Sequence, residues 1–223
     1  MRFCYHDRSG DVEIVVSDNL FLHLYKARRT KIDSVICFRN LRDENLYFYK
    51  HKEIGKKSAI LRLVKFEKSQ INSKQAHIVW AITESKNIEK TLPYLNQLGV
   101  KKLTLFFANR SQRNEKLSLE RLHKILIASC EQCGRSHLME IELLKNTKEV
   151  LEKYPLCQVL NFGGYDIYAG ERSFAHGIMI GPEGGFDKEE EEMFFDREVF
   201  SISGGIVLKS ECAAILVGSL AAI

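Results

Sequence analysis

The stretch Gly177-Ile-Met-Ile-Gly-Pro-Glu-Gly-Gly-Phe-Asp-Lys-Glu-Glu-Glu-Glu192 decides the fold. A short apolar run, Gly177–Ile180, breaks into glycine and then into a carboxylate-rich segment. That is the order of a buried strand, a loop at its carboxyl end and a helix. Asp187 stands where an N-cap belongs, and the acidic residues after it sit where the helix dipole favours them, so a helix is expected over Lys188–Asp196. Pro182 restricts the loop and removes a donor. Glu183 lies between glycines, an unusual place for a structural carboxylate. No Gly-Lys-Ser/Thr follows, so this is no Walker loop, and the G-x-G-x-x-G spacing of a dinucleotide fingerprint is absent. Carboxylates beside the glycines disfavour a phosphate. A neutral or cationic ligand fits better, and a sulfonium is one.

Working outward, the same pattern recurs. Val159–Phe162 reads as a strand running into Gly163-Gly164, and Val199–Ser203 as a strand running into Gly204-Gly205. One glycine pair is more simply a tight turn. Three at strand ends favour a site, because ligands of open α/β sheets bind at the carboxyl ends of strands and glycine lets backbone come close. His77–Ile82 and Lys102–Phe107 read as further strands. Asn87–Leu98 (ended by Gly99), Leu117–Glu131 and Ser210–Ile223 read as helices. Strands alternating with helices predict a parallel sheet covered on both faces.

The first 68 residues have another texture. Short β-type runs, Val12–Val16, Ser34–Phe38, Leu46–Tyr49 and Ala59–Phe66, alternate with turn segments and one helix, Asp18–Arg29, which suggests a small barrel or sandwich. Glu67–Gln75 is polar and reads as a linker. Domains are therefore expected at 1–68 and 75–223. The 223 residues are 45% apolar and 28% charged with a net charge of +4, enough for a real core and mild enough to permit RNA binding without requiring it. Six cysteines without an apolar leader predict free thiols in the cytoplasm. Cys212–Ile223 is the longest apolar stretch and too short to span a bilayer, so a buried or partner-facing helix is expected. Cys130-x-x-Cys133 lies mid-helix without a second pair, so no metal is expected.

Ile180–Phe186 with its acidic helix resembles the hallmark of the RsmE family, the 16S ribosomal RNA uridine-N3 methyltransferases of the SPOUT superfamily. Ile127-Ala-Ser-Cys-Glu-Gln-Cys-Gly-Arg135 is similar to a second motif, Gly204–Ala213 to a third, and His23-Leu-Tyr-Lys-Ala-Arg-Arg29 to a fourth. Their order matches along nearly the whole chain. The resemblance implies a PUA-like β-barrel that helps bind RNA, followed by an α/β domain with a deep trefoil knot near its C-terminus. It implies a homodimer that binds S-adenosyl-L-methionine and acts on 16S ribosomal RNA in the small subunit. The donor pocket would use three loops: Leu160, Asn161, Phe162 and Gly163; Ile180, Gly181, Pro182, Glu183, Gly184 and Gly185; and Ser203, Gly204, Val207 and Leu208. These are the strand ends already singled out.

The third motif departs from the family, which has arginines where this chain has Ile206 and Lys209. Lysine keeps the charge and loses the bidentate fork. For the chemistry, Lys209 is the candidate cation for the anion developing on a uridine, and Arg135 a catalytic candidate that contacts base or phosphate. Glu211 either orients the base and accepts the proton or simply favours its helix dipole. His23, Arg28, Arg29 and Arg110 are candidate RNA contacts. Two alternatives stay open: a weakened or inactive RNA-binding assembly factor, and a SPOUT methyltransferase with another RNA target.

Overall fold

The computed structural model describes residues 2–68, 75–170 and 173–222. Contacts divide these between two compact units, Met1–Ile71 with Ile127–Leu138, and Asn72–Leu126 with Met139–Ile223. The expected linker falls mostly outside the described residues. Its first two residues, Glu67 and Lys68, finish a strand. The expectation of a single break after residue 68 made no provision for Ile127–Leu138, which joins the first unit: Cys130 is buried in a cluster with Phe3 and Leu41.

The first unit is a curled five-stranded sheet in the order β1-β3-β4-β5-β2, all antiparallel pairs except β1 with β3. The strands are β1 (Cys4–Tyr5), β2 (Glu13–Ser17), β3 (Ile36–Arg39), β4 (Asn45–Ile54) and β5 (Ser58–Lys68). Alternation turns Ile14, Val16, Phe38, Tyr49 and Leu61 into one core, with Phe21 and Leu24 over it. The expected helix Asp18–Arg29 is instead α1 (Asp18–Phe21) followed by a π-helix, Leu22–Ala27. The wider turn ends where the Arg28 amide donates to the His23 carbonyl at 2.9 Å.

The second unit is a six-stranded, all-parallel sheet in the order β11-β9-β10-β6-β7-β8. Its strands are β6 (His77–Ala81), β7 (Lys102–Phe106), β8 (Glu140–Leu144), β9 (Gln158–Asp166), β10 (Ile178–Ile180) and β11 (Val199–Ser201). The helices are α2 (Ser85–Gln97), α3 (Leu119–Cys133), α4 (Thr147–Lys153), α5 (Lys188–Glu192) and α6 (Ser210–Ala222), with the last part of α3 belonging to the first unit. Every residue of β6 is buried, as a central parallel strand covered on both faces must be.

β8 and α4 were not anticipated. Glu140 and Glu142 give β8 a polar look, but Glu142 is held by Lys102, Thr104, Lys153 and Tyr154. α5 stops at Glu192 rather than Asp196. The chain then turns, and the buried Phe194 ring meets Phe186 edge-on at 4.9 Å between centroids.

Candidate functional site

The expected end of β9 at Phe162 proves to be an interruption. Val199 of β11 pairs with Val159, yet the next residue, Phe200, pairs with Tyr165. Leu160–Gly164 therefore has no partner on β11, although Leu160 still pairs with Ile180 of β10. Glycine makes this possible: Gly163 adopts φ +76°, and a Cβ on Gly164 would lie 2.3 Å from the Val199 carbonyl oxygen.

The looped-out segment, in the middle of β9, opens a cleft of about 230 Å³ at the carboxyl ends of β10 and β11. All the expected donor-pocket residues line it except Gly163, Ser203 and Gly204. Phe186, Ile202, Ile206, Ser210 and Ala213 line it as well. Phe162, Ile206 and Val207 are largely exposed, so part of its rim is apolar.

Two anchors hold the glycine loop. Trp80 Nε1 donates to Ser210 Oγ at 2.7 Å, and Ser210 Oγ donates to the Gly181 carbonyl at 2.5 Å. This ties the loop to β6 and to the first turn of α6. At the other end, Asp187 and Glu190 form a capping box on α5. Hydrogen bonds from the Glu190 amide and then from Asn109 hold the Asp187 carboxyl below its usual range. Glu190 is buried and accepts from Thr147 Oγ1 and from the Asn109 amide at 3.0 Å. The Asp187–Glu190 spacing was a readable sign of this box. Trp80, Asn109 and Thr147 come from distant parts of the chain and carried no such sign.

Among the catalytic candidates, Lys209 is exposed just before α6. Glu211 is half-buried in the first turn of α6, and its Oε2 is buried with no hydrogen-bond partner. A buried orphaned carboxylate oxygen costs free energy unless a ligand proton meets it. Arg135 belongs to the first unit. It is 5% exposed, and burial lowers its pKa, partly offset by Cys130 and Cys133. As it stands, it offers little surface to a substrate. His23, Arg28 and Arg29 also belong to the first unit. His23 is half-buried with an unpartnered Nε2, Arg28 donates to Cys4 Sγ at 3.4 Å, and Arg29 is exposed at φ +52°. Arg110 donates to the Gly184 and Phe186 carbonyls at 2.8 and 3.1 Å.

A larger cavity, about 360 Å³, opens at the amino ends of β6, β7 and β8 beside His77, Lys101, Lys102 and Lys153. Its cations are already engaged: Lys102 and Lys153 on Glu142, and Lys101 on Gln75. A structural charge network accounts for it, whereas three separate segments of the chain converge on the smaller cleft. None of the described cysteines forms a disulfide. Among the described residues, no helix is long and apolar enough to cross a membrane.

Residues 70–222 match the model of a family described as an RNA methyltransferase domain. The chain is 49% identical over 227 residues to the ribosomal RNA small subunit methyltransferase E of Helicobacter pylori strain J99, covering 100% of both chains. It is also 49% identical over 225 residues to that of strain 26695, covering 99% of each. Its fold is similar to that of a ribosomal RNA small subunit methyltransferase E from Neisseria gonorrhoeae, solved bound to S-adenosyl methionine. The TM-score is 0.82 at 20% identity, over 98% of this chain and 95% of that one.

Proposed function

The chain belongs to the ribosomal RNA small subunit methyltransferase E family, and from that premise we propose that it transfers a methyl group from S-adenosylmethionine to N3 of a uridine in 16S ribosomal RNA. The observation that carries the reading is the cleft. Residues of β9, of the loop after β10 and of the segment leading into α6 converge on it, and Glu211, with an orphaned carboxylate oxygen, directly follows Ser210 of its lining. Glu183 at the rim adds a further negative charge, which suits a sulfonium and repels a phosphate.

When bound, S-adenosylmethionine supplies an electrophilic methyl on a cationic sulfur. The residues of the chain supply the rest. The backbone of Ile180–Gly185 and Leu160–Phe162 cradles the donor. Lys209, exposed, approaches a uridine carbonyl and stabilises the negative charge that spreads onto it as N3 loses its proton. Glu211 accepts that proton, N3 gains the methyl, and the sulfur leaves as a neutral thioether. A homodimer, a C-terminal knot and a cytoplasmic setting belong to the same reading. So does RNA contact through His23, Arg28 and Arg29 of the first unit.

The test is methyl transfer from labelled donor to small ribosomal subunits, with the modified nucleotide mapped by mass spectrometry. Label on a uridine base is expected. Label on a ribose or on another RNA would redirect the substrate assignment, and no donor binding in calorimetry would favour an assembly factor. Within an active enzyme, Lys209→Ala should lower kcat by about 10²-fold while leaving donor affinity near wild type. Unchanged turnover would remove Lys209 from the chemistry.

A further inference from the structure

The reading of the cleft as a donor site leaves Arg110 and Asn109 without a role, since neither lines it. Both lie just after β7, in the loop before α3. Asn109 makes two bonds across to the far side of the glycine loop. Its amide donates to Glu190 Oε1 at 3.0 Å, and its Nδ2 donates to Asp187 Oδ2 at 2.8 Å. One terminal nitrogen of Arg110 donates to the carbonyls of Gly184 and Phe186 at 2.8 and 3.1 Å. The arginine stem also packs close to the loop, for a Cβ on Gly184 would touch Arg110 Cδ at 3.4 Å.

Besides these bonds, this end is held by the α5 capping box and by the Phe186 ring buried against Phe194. Its internal bond runs from the Gly185 amide to the Pro182 carbonyl at 2.9 Å, and Gly185 stands at φ +68°. A glycine-rich segment of this kind has many conformations to lose. Ser210 pins Gly181, at the start. The finish, Gly184–Asp187, is pinned from outside by the pair Asn109-Arg110, with the buried Glu190 as the node joining them to Thr147 of α4. A charged donor makes a stronger bond to a carbonyl than a neutral one, and the bond to the Phe186 carbonyl is partly buried.

We propose that Arg110 and Asn109 are positioning residues for the methyl donor: they clamp Gly184–Asp187 in the conformation that binds it, and Arg110 acts through the loop carbonyls rather than through RNA. The proposal rests on the functional reading above. It deepens that reading by separating a positioning arginine from the RNA-binding ones.

Three variants of the full chain, Arg110→Ala, Arg110→Lys and Asn109→Ala, are compared with wild type. Titration with S-adenosylmethionine alone should show affinity falling about tenfold or more for Arg110→Ala, less for Arg110→Lys, and measurably for Asn109→Ala. Binding of donor-free protein to purified small ribosomal subunits should keep its wild-type salt dependence. Donor affinity within twofold of wild type in Arg110→Ala, with a salt slope reduced by about one, would overturn the proposal and make Arg110 a phosphate contact. Hydrogen exchange at the Gly184–Phe186 amides gives a readout independent of any ligand. It should quicken in Arg110→Ala, and unchanged exchange would sink the clamp. If wild type itself takes up no donor, the functional reading fails while the exchange experiment still decides the clamp. Melting curves identify a variant that has simply unfolded, and Arg110→Lys then carries the comparison.

Discussion

His77 is a buried histidine whose role is structural. Its Nε2 lies 2.8 Å from Thr104 Oγ1, which donates in turn to Glu142 Oε2 at 3.0 Å. The threonine therefore accepts from Nε2–H, and burial is what keeps the ring neutral. Burial, reinforced by Lys102 and opposed by Glu142, pushes the His77 pKa down from 6.5 to about 4. The unfolded chain then binds a proton, as pH falls through 6.5, that the folded chain refuses. Stability from His77 is fully present above pH 6.5 and is lost as pH falls towards 4. The whole step is worth about 3 kcal/mol. Urea unfolding at a series of pH values should register this slope, and His77→Gln should flatten it. A variant with the wild-type slope would assign the acid sensitivity elsewhere. Glu142 acts in a lower window. Burial opposes its charge, yet hydrogen bonds from Lys153, Tyr154 and Thr104 and the Lys102 charge hold it down at about 2. Its contribution is lost as pH falls from 4.5 towards 2.

The elements divide into those whose residues announce them and those whose neighbours make them. β6, β7 and α2 lie close to where apolar periodicity puts them, because each buries its own apolar residues. β9 does not. Its glycines read as the end of a strand, yet the strand resumes beyond them because β11 comes close enough to exclude a side chain at Gly164. Gly164→Ala should therefore destabilise the protein by about 1–3 kcal/mol. It should also weaken donor binding, since the cleft depends on Leu160–Gly164 looping away from β11. Denaturation with parallel donor titration checks both, and a stable variant with wild-type affinity would show that β11 can give way. The helix expected at Asp18–Arg29 makes the same point in the other unit. Its residue types suit an α-helix, but part of it winds as a π-turn while Leu24 enters the sheet core.

For the molecule as a whole, α6 is the open question of surface. It is apolar on most sides, and packing covers Ala213, Ala214 and Val217 while Cys212 stays exposed. A second copy of the chain is the occupant that the functional reading supplies. Sedimentation should return twice the chain mass at micromolar concentration, and dilution should not dissociate it while donor remains bound. A monomer that still methylates subunits would show that one chain completes the site.

The linear order of residues was enough for the two textures of the chain, the parallel α/β region, the glycine loop after Ile180 and the family. These depend on local pattern and spacing, which survive in one dimension. Only the tertiary structure decided what holds the site. Trp80 reaches Ser210, Asn109 reaches Asp187 and Glu190, Arg110 reaches Gly184, and Arg135 is buried away from solvent. A charge reads the same in sequence whether it meets a carbonyl, a carboxylate or water. Which of these it meets is fixed by segments up to 130 residues apart in the chain. The glycine loop was legible as a feature at a strand end, and its contacts with Asn109 and Arg110 were not.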